Sequence, residues 1–142
     1  MARGLLRSAT MPKRAPRVVV LDDEPAVTGL VVDVLRAAGF EAWGTTGAVE
    51  AFRKIEEVEE VAPDAVVTDL DMPGLDGVEF TAALRSRPAT RHIKVVFLSG
   101  MTSQEDYAIA HFAGAAAYVG KPFDAKHLID ALERVLPSET AP

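Results

Sequence analysis

The sequence predicts a doubly wound α/β domain, a five-stranded parallel sheet with helices on both faces. Three observations predict it. Short β-branched runs alternate with segments whose apolar residues recur at steps of three and four. The alternation repeats five times within 142 residues, enough for one core and too few for two ordinary domains. Polar residues suited to chemistry fall at the ends of the apolar runs, where parallel strands expose their carboxyl ends along one sheet edge.

The elements follow in order. Arg17-Val-Val-Val-Leu21 is a strand buried on both faces, and it stops at Asp22-Asp23-Glu24-Pro25. Pro25 suits a first helical turn, and the acids before it suit the positive end of the helix dipole. Val27, Leu30, Val31, Val34, Leu35 and Ala38 form the helical stripe that follows, and Gly39 ends it. Residues 40–43 are a short strand, 46–60 a helix with an acidic tail, and 65–68 a strand that stops at Asp69. Residues 76–86 are a helix, 93–98 a strand running into Ser99-Gly100, and 103–113 a helix ended by Gly114. Residues 116–119 are a strand before Lys121-Pro122, and 124–136 a helix stopped by Pro137. The second strand contributes no comparable polar residue, as expected of a far edge.

Composition excludes several classes. The chain has 49% hydrophobic residues, 25% charged residues and a formal charge of −6, values typical of a soluble domain. No cysteine is present, so disulfides, thiolate zinc sites and cysteine nucleophiles are excluded. His92, His111 and His127 share no metal-binding spacing. No apolar run approaches the ~20 residues of a membrane span, and the start lacks the apolar stretch of a secretory signal. The chain is therefore expected in the cytoplasm. Charge is uneven: residues 1–17 carry +5 with no acid, and residues 18–142 carry ten basic and 21 acidic residues, or −11. An acidic body disfavours direct nucleic-acid binding. The expected organisation is a basic, disordered arm at 1–16, a domain at 17–137 and a short tail at 138–142.

Asp22, Asp23, Asp69, Ser99 and Lys121 should converge at the carboxyl edge. Carboxylates ~4 Å apart repel by about 4 kcal/mol per pair at an effective dielectric of ~20, so the set needs a proton or a cation. Oxygen ligands without cysteine or paired histidine favour Mg²⁺ or Mn²⁺. A hydroxyl and an ammonium beside them are donors for phosphoryl oxygens, and an aspartate within reach is a nucleophile.

The motifs carry a resemblance that runs from about Arg17 to Leu136. They are Val18-Val19-Val20-Leu21-Asp22-Asp23-Glu24-Pro25, Pro63-Asp64-Ala65-Val66-Val67-Thr68-Asp69-Leu70-Asp71-Met72-Pro73-Gly74-Leu75-Asp76-Gly77, Val96-Phe97-Leu98-Ser99-Gly100 and Gly114-Ala115-Ala116-Ala117-Tyr118-Val119-Gly120-Lys121-Pro122-Phe123. In this order the sequence resembles the receiver domain of two-component response regulators. The resemblance implies a flavodoxin-like (βα)5 topology with strand order 2-1-3-4-5 and Asp69 as phosphoacceptor. It implies Mg²⁺ held by Asp23 and Asp69, by Asp22 mainly through water, and by the Asp71 backbone carbonyl. Lys121 and Ser99 would bind the phosphoryl group, Ser99 and Tyr118 would act as the switch, and the Lys121-Pro122 peptide would be cis. Thr68 departs from the apolar residue frequent there, and Asp71 and Met101 occupy positions that tune phosphate lifetime in the family.

The function expected on this basis is a phosphorylation switch, not a turnover enzyme. The donor would be a phosphohistidine on a sensor histidine kinase or phosphotransfer protein. With only a five-residue tail, output would pass through the face of the fourth helix, fifth strand and fifth helix to a downstream protein, from a monomer or a phosphorylation-linked homodimer. Tyr107, Ile109 and Phe112 mark the fourth helix as a candidate partner surface. Two rivals remain. A haloacid-dehalogenase-type phosphatase would use Asp69 and Asp71, but its motif opens that fold and its acidic pair follows the lysine. A phosphorylation-independent interaction module would not need the complete acidic set.

Overall fold

A computed structural model of the chain describes residues 14–57, 63–70, 77–100 and 104–136. Its strands are β1 (Arg17–Leu21), β2 (Glu41–Thr45), β3 (Ala65–Thr68), β4 (Lys94–Ser99) and β5 (Ala117–Gly120). Its helices are α1 (Pro25–Ala37), α2 (Ala48–Glu57), α3 (Gly77–Arg85), α4 (Gln104–Ala113) and α5 (Ala125–Val135). The strands form one parallel sheet in the order β2-β1-β3-β4-β5. The fold class and strand order are those expected.

Each central strand alternates its side chains between two cores. Val18 and Val20 join Val31, Val32 and Leu35 of α1 and Leu128 and Leu132 of α5 on one face. Val19 and Leu21 join Ala51 and Ile55 of α2, Phe80 and Leu84 of α3 and Ala110 of α4 on the other. Burial on both faces explains the unbroken apolar runs of β1 and β3. Phe80 and Phe97 are fully buried, and each such side chain contributes about 1.5–3 kcal/mol.

Three differences from the sequence expectation have physical causes. Leu30 of the α1 stripe is 55% exposed, while Thr28 and Val32 are buried in its place. Thr28 turns inward because its hydroxyl donates to the Asp22 carbonyl at 3.0 Å. Second, β2 begins and ends later than 40–43, because Glu41 N donates to the Pro16 carbonyl at 2.9 Å and starts the pairing there. Third, residues 14–16 are not a loose arm. Arg14 grips both carboxylate oxygens of Asp64, at 2.7 and 2.9 Å, and Asp64 also accepts from Arg17 N at 2.8 Å. Residues 1–13 and 137–142 lie outside the described residues.

Gly39 and Gly114 end α1 and α4 with φ of 96° and 93°, conformations that favour glycine. No helix among the described residues is long and apolar enough to cross a membrane.

Candidate functional site

Strand register builds the site. Leu21 of β1 pairs with Thr68 of β3, so the next residues, Asp22 and Asp69, emerge side by side at the carboxyl edge. Asp69 N donates to the Leu21 carbonyl at 3.0 Å and fixes that adjacency. Asp23 joins them from the turn into α1. One carboxylate oxygen from each of Asp22, Asp23 and Asp69 lies within 4.8 Å of the others. Asp22 is 2% exposed, Asp69 is nearly as buried and Asp23 is open to solvent.

Lys121 reaches the same place from the end of β5. Its Nζ lies 2.7 Å from Asp22 Oδ2 and 3.5 Å from Asp69 Oδ2. Burial works to lower the lysine pKa, but the hydrogen bond and charge of Asp22, followed by the charge of Asp69, outweigh it and hold the ammonium above its ordinary value. The Lys121-Pro122 peptide is cis. Lys121 N also donates to the Ser99 carbonyl at 2.8 Å, joining the ends of β5 and β4. One ammonium among three carboxylates leaves the cluster short of positive charge. An all-oxygen donor set spaced within 4.8 Å fits a small hard divalent cation.

Ser99 is buried at the last position of β4. It lies on the same face of the sheet as Phe97, whose β5 partner is Tyr118. The Tyr118 ring sits 4.5 Å from the Tyr107 ring of α4. Its hydroxyl is buried and makes no hydrogen bond of good geometry among the described residues. Burial pushes the Tyr118 phenol above its ordinary pKa, the nearby Ser99 side chain opposes the rise, and the charges of Asp106 and Asp69 add to it.

The structure thus brings together Asp22, Asp23, Asp69 and Lys121, and sets Ser99 and Tyr118 beside them on β4 and β5. Asp71, expected to offer its carbonyl, lies outside the described residues, as do Met72, Pro73, Gly74, Asp76 and Met101.

Sequence reasoning missed three supporting residues. Thr28 donates to the Asp22 carbonyl, and Thr45 donates to the Val20 carbonyl at 2.7 Å. Both brace the end of β1. Gly77 opens α3 against the end of β3, and a Cβ there would strike the Asp69 carbonyl oxygen and approach the Phe97 ring. Its N–H donates to the Leu70 carbonyl at 3.0 Å. Thr28 carried a faint signal, a polar residue inside an apolar stripe; Thr45 carried none, and Gly77 none beyond its place in a motif. Thr68, the departure noted above, is buried with its hydroxyl donating to the Asp69 carbonyl at 3.0 Å.

Fold and site define a doubly wound α/β domain with an acidic cluster and a lysine at its carboxyl edge. Comparison with known proteins gives the family: residues 18–133 match the response regulator receiver domain, and the chain belongs to that family. It is 36% identical to the transcriptional regulatory protein PrrA of Mycobacterium leprae over 122 residues, 86% of this chain and 50% of that protein. It is 30% identical to the phosphate regulon transcriptional regulatory protein PhoB of Escherichia coli, over 86% of this chain and 52% of that protein. The chain therefore spans about half the length of these curated relatives. Among solved structures, the chemotaxis response regulator CheY4 of Vibrio cholerae superposes with a TM-score of 0.78 at 28% identity, covering 86% of this chain and 99% of that one. Receiver domains are signalling domains of two-component systems, not turnover enzymes, and they pair with sensor histidine kinases.

Proposed function

We propose that this domain accepts a phosphoryl group on Asp69 from a phosphohistidine and passes the signal on through its own surface. The observation that carries the reading is the cluster of Asp22, Asp23 and Asp69 with Lys121 2.7 Å from Asp22 and 3.5 Å from Asp69. An Asp69 carboxylate oxygen attacks phosphorus, the new O–P bond forms as the P–N bond to the donor imidazole breaks, and an acyl phosphate results. Phosphoryl transfer asks the protein for positioning and charge neutralisation more than covalent help. Asp22, Asp23 and Asp69 would hold Mg²⁺ or Mn²⁺, together with the Asp71 carbonyl. When bound, the cation supplies positive charge beside the transferring phosphoryl oxygens. Lys121 exchanges part of its pairing with Asp22 and Asp69 for a phosphoryl oxygen, and the Ser99 hydroxyl takes another.

The change is then read at Tyr118. Its buried hydroxyl lies near the Ser99 side chain and has no other hydrogen-bond partner among the described residues, so a displaced Ser99 alters the pocket that holds the ring. Output through α4, β5 and α5 to a downstream protein follows from that position. The domain proper is assigned to residues 17–137; the acidic set at the edge disfavours an interaction module indifferent to phosphorylation, and the place of Asp69 after the third strand, with the acidic pair before the lysine, disfavours the phosphatase reading.

Intact-mass measurement after incubation with Mg²⁺ and acetyl phosphate tests the proposal. The expected result is a gain of one phosphoryl mass that Asp69→Ala abolishes. No gain with either acetyl phosphate or a phosphohistidine donor would overturn it.

A further inference from the structure

Helix α4 has two sides. One carries Tyr107 towards Tyr118 and β5, and the other carries Ile109 and Phe112 along an open groove against α3. Phe112 is 88% exposed and Ile109 is 41% exposed. The facing wall is Val78, Ala82 and Ser86, spaced one turn apart on and just beyond α3. Small residues on that wall leave room for another backbone to approach, and two large apolar side chains on the other are free to anchor it. Clustered apolar exposure of this kind marks an interaction site more often than scattered surface residues do.

The charge at one end of the groove says what kind of partner fits. Residues 85–94 carry Arg85, Arg87, Arg91 and Lys94 and no acid, in a chain whose formal charge is −6. The Arg85 guanidinium lines the groove and donates to the carbonyls of Ile93 at 2.8 Å, Arg91 at 3.0 Å and Gly114 at 3.2 Å. It thereby ties the end of α3 to the start of β4 and the end of α4, and holds the basic loop beside the groove. Arg87 lies over the Phe52 ring, 5.1 Å from its centroid, on the α2 side. Arg91 is exposed and is not paired with a carboxylate among the described residues, whereas Lys94 alternates with Ile93 and Val95 of the α2–α3–α4 core and so faces away from the groove.

We propose that the α3–α4 groove docks an acidic amphipathic helix of a partner protein, its apolar stripe on Ile109 and Phe112 and its carboxylates at Arg85 and Arg91. This surface uses the α3 side of α4, away from the side that carries Tyr107 to β5. A concave trough between helices suits a helix better than a lipid surface, and a net-acidic body disfavours anionic bilayers.

The test uses two peptides of about sixteen residues, long enough to form helix. Both carry leucine at i, i+3, i+4 and i+7. One has glutamate and the other lysine at the remaining positions. Binding is followed by fluorescence anisotropy and by amide chemical-shift mapping on the full chain. The acidic peptide is expected to bind at least about tenfold more tightly than the basic one, moving Ala82, Ile109 and Gly114. Phe112→Ser, at an exposed position, should weaken it by about tenfold, and Arg91→Glu should weaken it and flatten its salt dependence. Equal binding of the two peptides, no binding, or shifts confined to Tyr118 and His127 would overturn the proposal. So would peptide-free, concentration-dependent shifts at Ile109, which would assign the groove to a second copy. Cosedimentation with anionic vesicles that Phe112→Ser abolishes, without peptide binding, would assign it to a membrane.

Discussion

Strands β1 and β3 deliver Asp22 and Asp69 from backbone buried on both faces, whereas α4 buries only Asp106 and Ala110 and leaves Tyr107, Ile109 and Phe112 exposed. The same small domain thus holds one region nearly immovable and another loosely attached. The difference matches what each must do. Carboxylates that share a cation and a lysine need positions held to a fraction of an ångström, and close-packed strands supply that. A helix that reports to partners needs a low-cost way to shift, and few buried contacts supply that.

Core truncation tests the comparison with the largest effect. Phe97→Ala should lower unfolding free energy by about 3–5 kcal/mol, while Phe112→Ala should change it by less than about 0.5 kcal/mol in the same urea titration. Equal losses would erase the contrast between the regions. Gly77→Ala comes next. The added methyl meets the Asp69 carbonyl and Phe97, so a loss of about 1–3 kcal/mol is expected, with slower phosphorylation as Asp69 is displaced.

Lys121→Met probes the charge balance of the rigid region. Removing the ammonium leaves Asp22 and Asp69 facing each other, and because Lys121 is 19% exposed the expected loss is moderate, about 1–3 kcal/mol in chelator. Millimolar Mg²⁺ should restore much of that, and should raise the melting temperature of the native chain; an Asp22→Asn, Asp23→Asn variant should lose the response. The smallest effect concerns pH. The Tyr118 pKa is raised on folding, so its contribution is complete below the unfolded phenol value of about 10 and is lost as pH climbs from there through the folded value. Tyr118→Phe should flatten that alkaline limb in denaturation curves taken across pH, with little change at neutral pH because the hydroxyl it removes makes no hydrogen bond of good geometry among the described residues.

How much of this was legible in the sequence depended on whether a residue's role was local. Asp22, Asp69 and Lys121 could be read because each follows an apolar run, and parallel strands turn such positions into neighbours. The strand order came with the family motifs. The inward turn of Thr28 was not legible, because the apolar stripe alone favoured Leu30 and the deciding bond goes to a carbonyl six residues earlier. Gly77 was quoted only as part of a motif, since its contact with Asp69 exists only through space. The anchoring of Arg14 on Asp64 was hidden for the same reason: the partners are fifty residues apart. The α3–α4 groove needed the packing angle of two helices, which periodicity does not encode.

The central claim is that Asp69, held beside Asp22, Asp23 and Lys121, is the residue that takes the phosphoryl group. Borohydride reduction of the phosphorylated chain tests it most directly, because it converts an aspartyl phosphate to homoserine at the modified position, which peptide mass spectrometry then locates. The account predicts homoserine at position 69 and nowhere else, dependent on Mg²⁺ and on the phosphoryl donor. Homoserine at position 71, at 22 or 23, or at no aspartate of a chain that has gained phosphate, would contradict it.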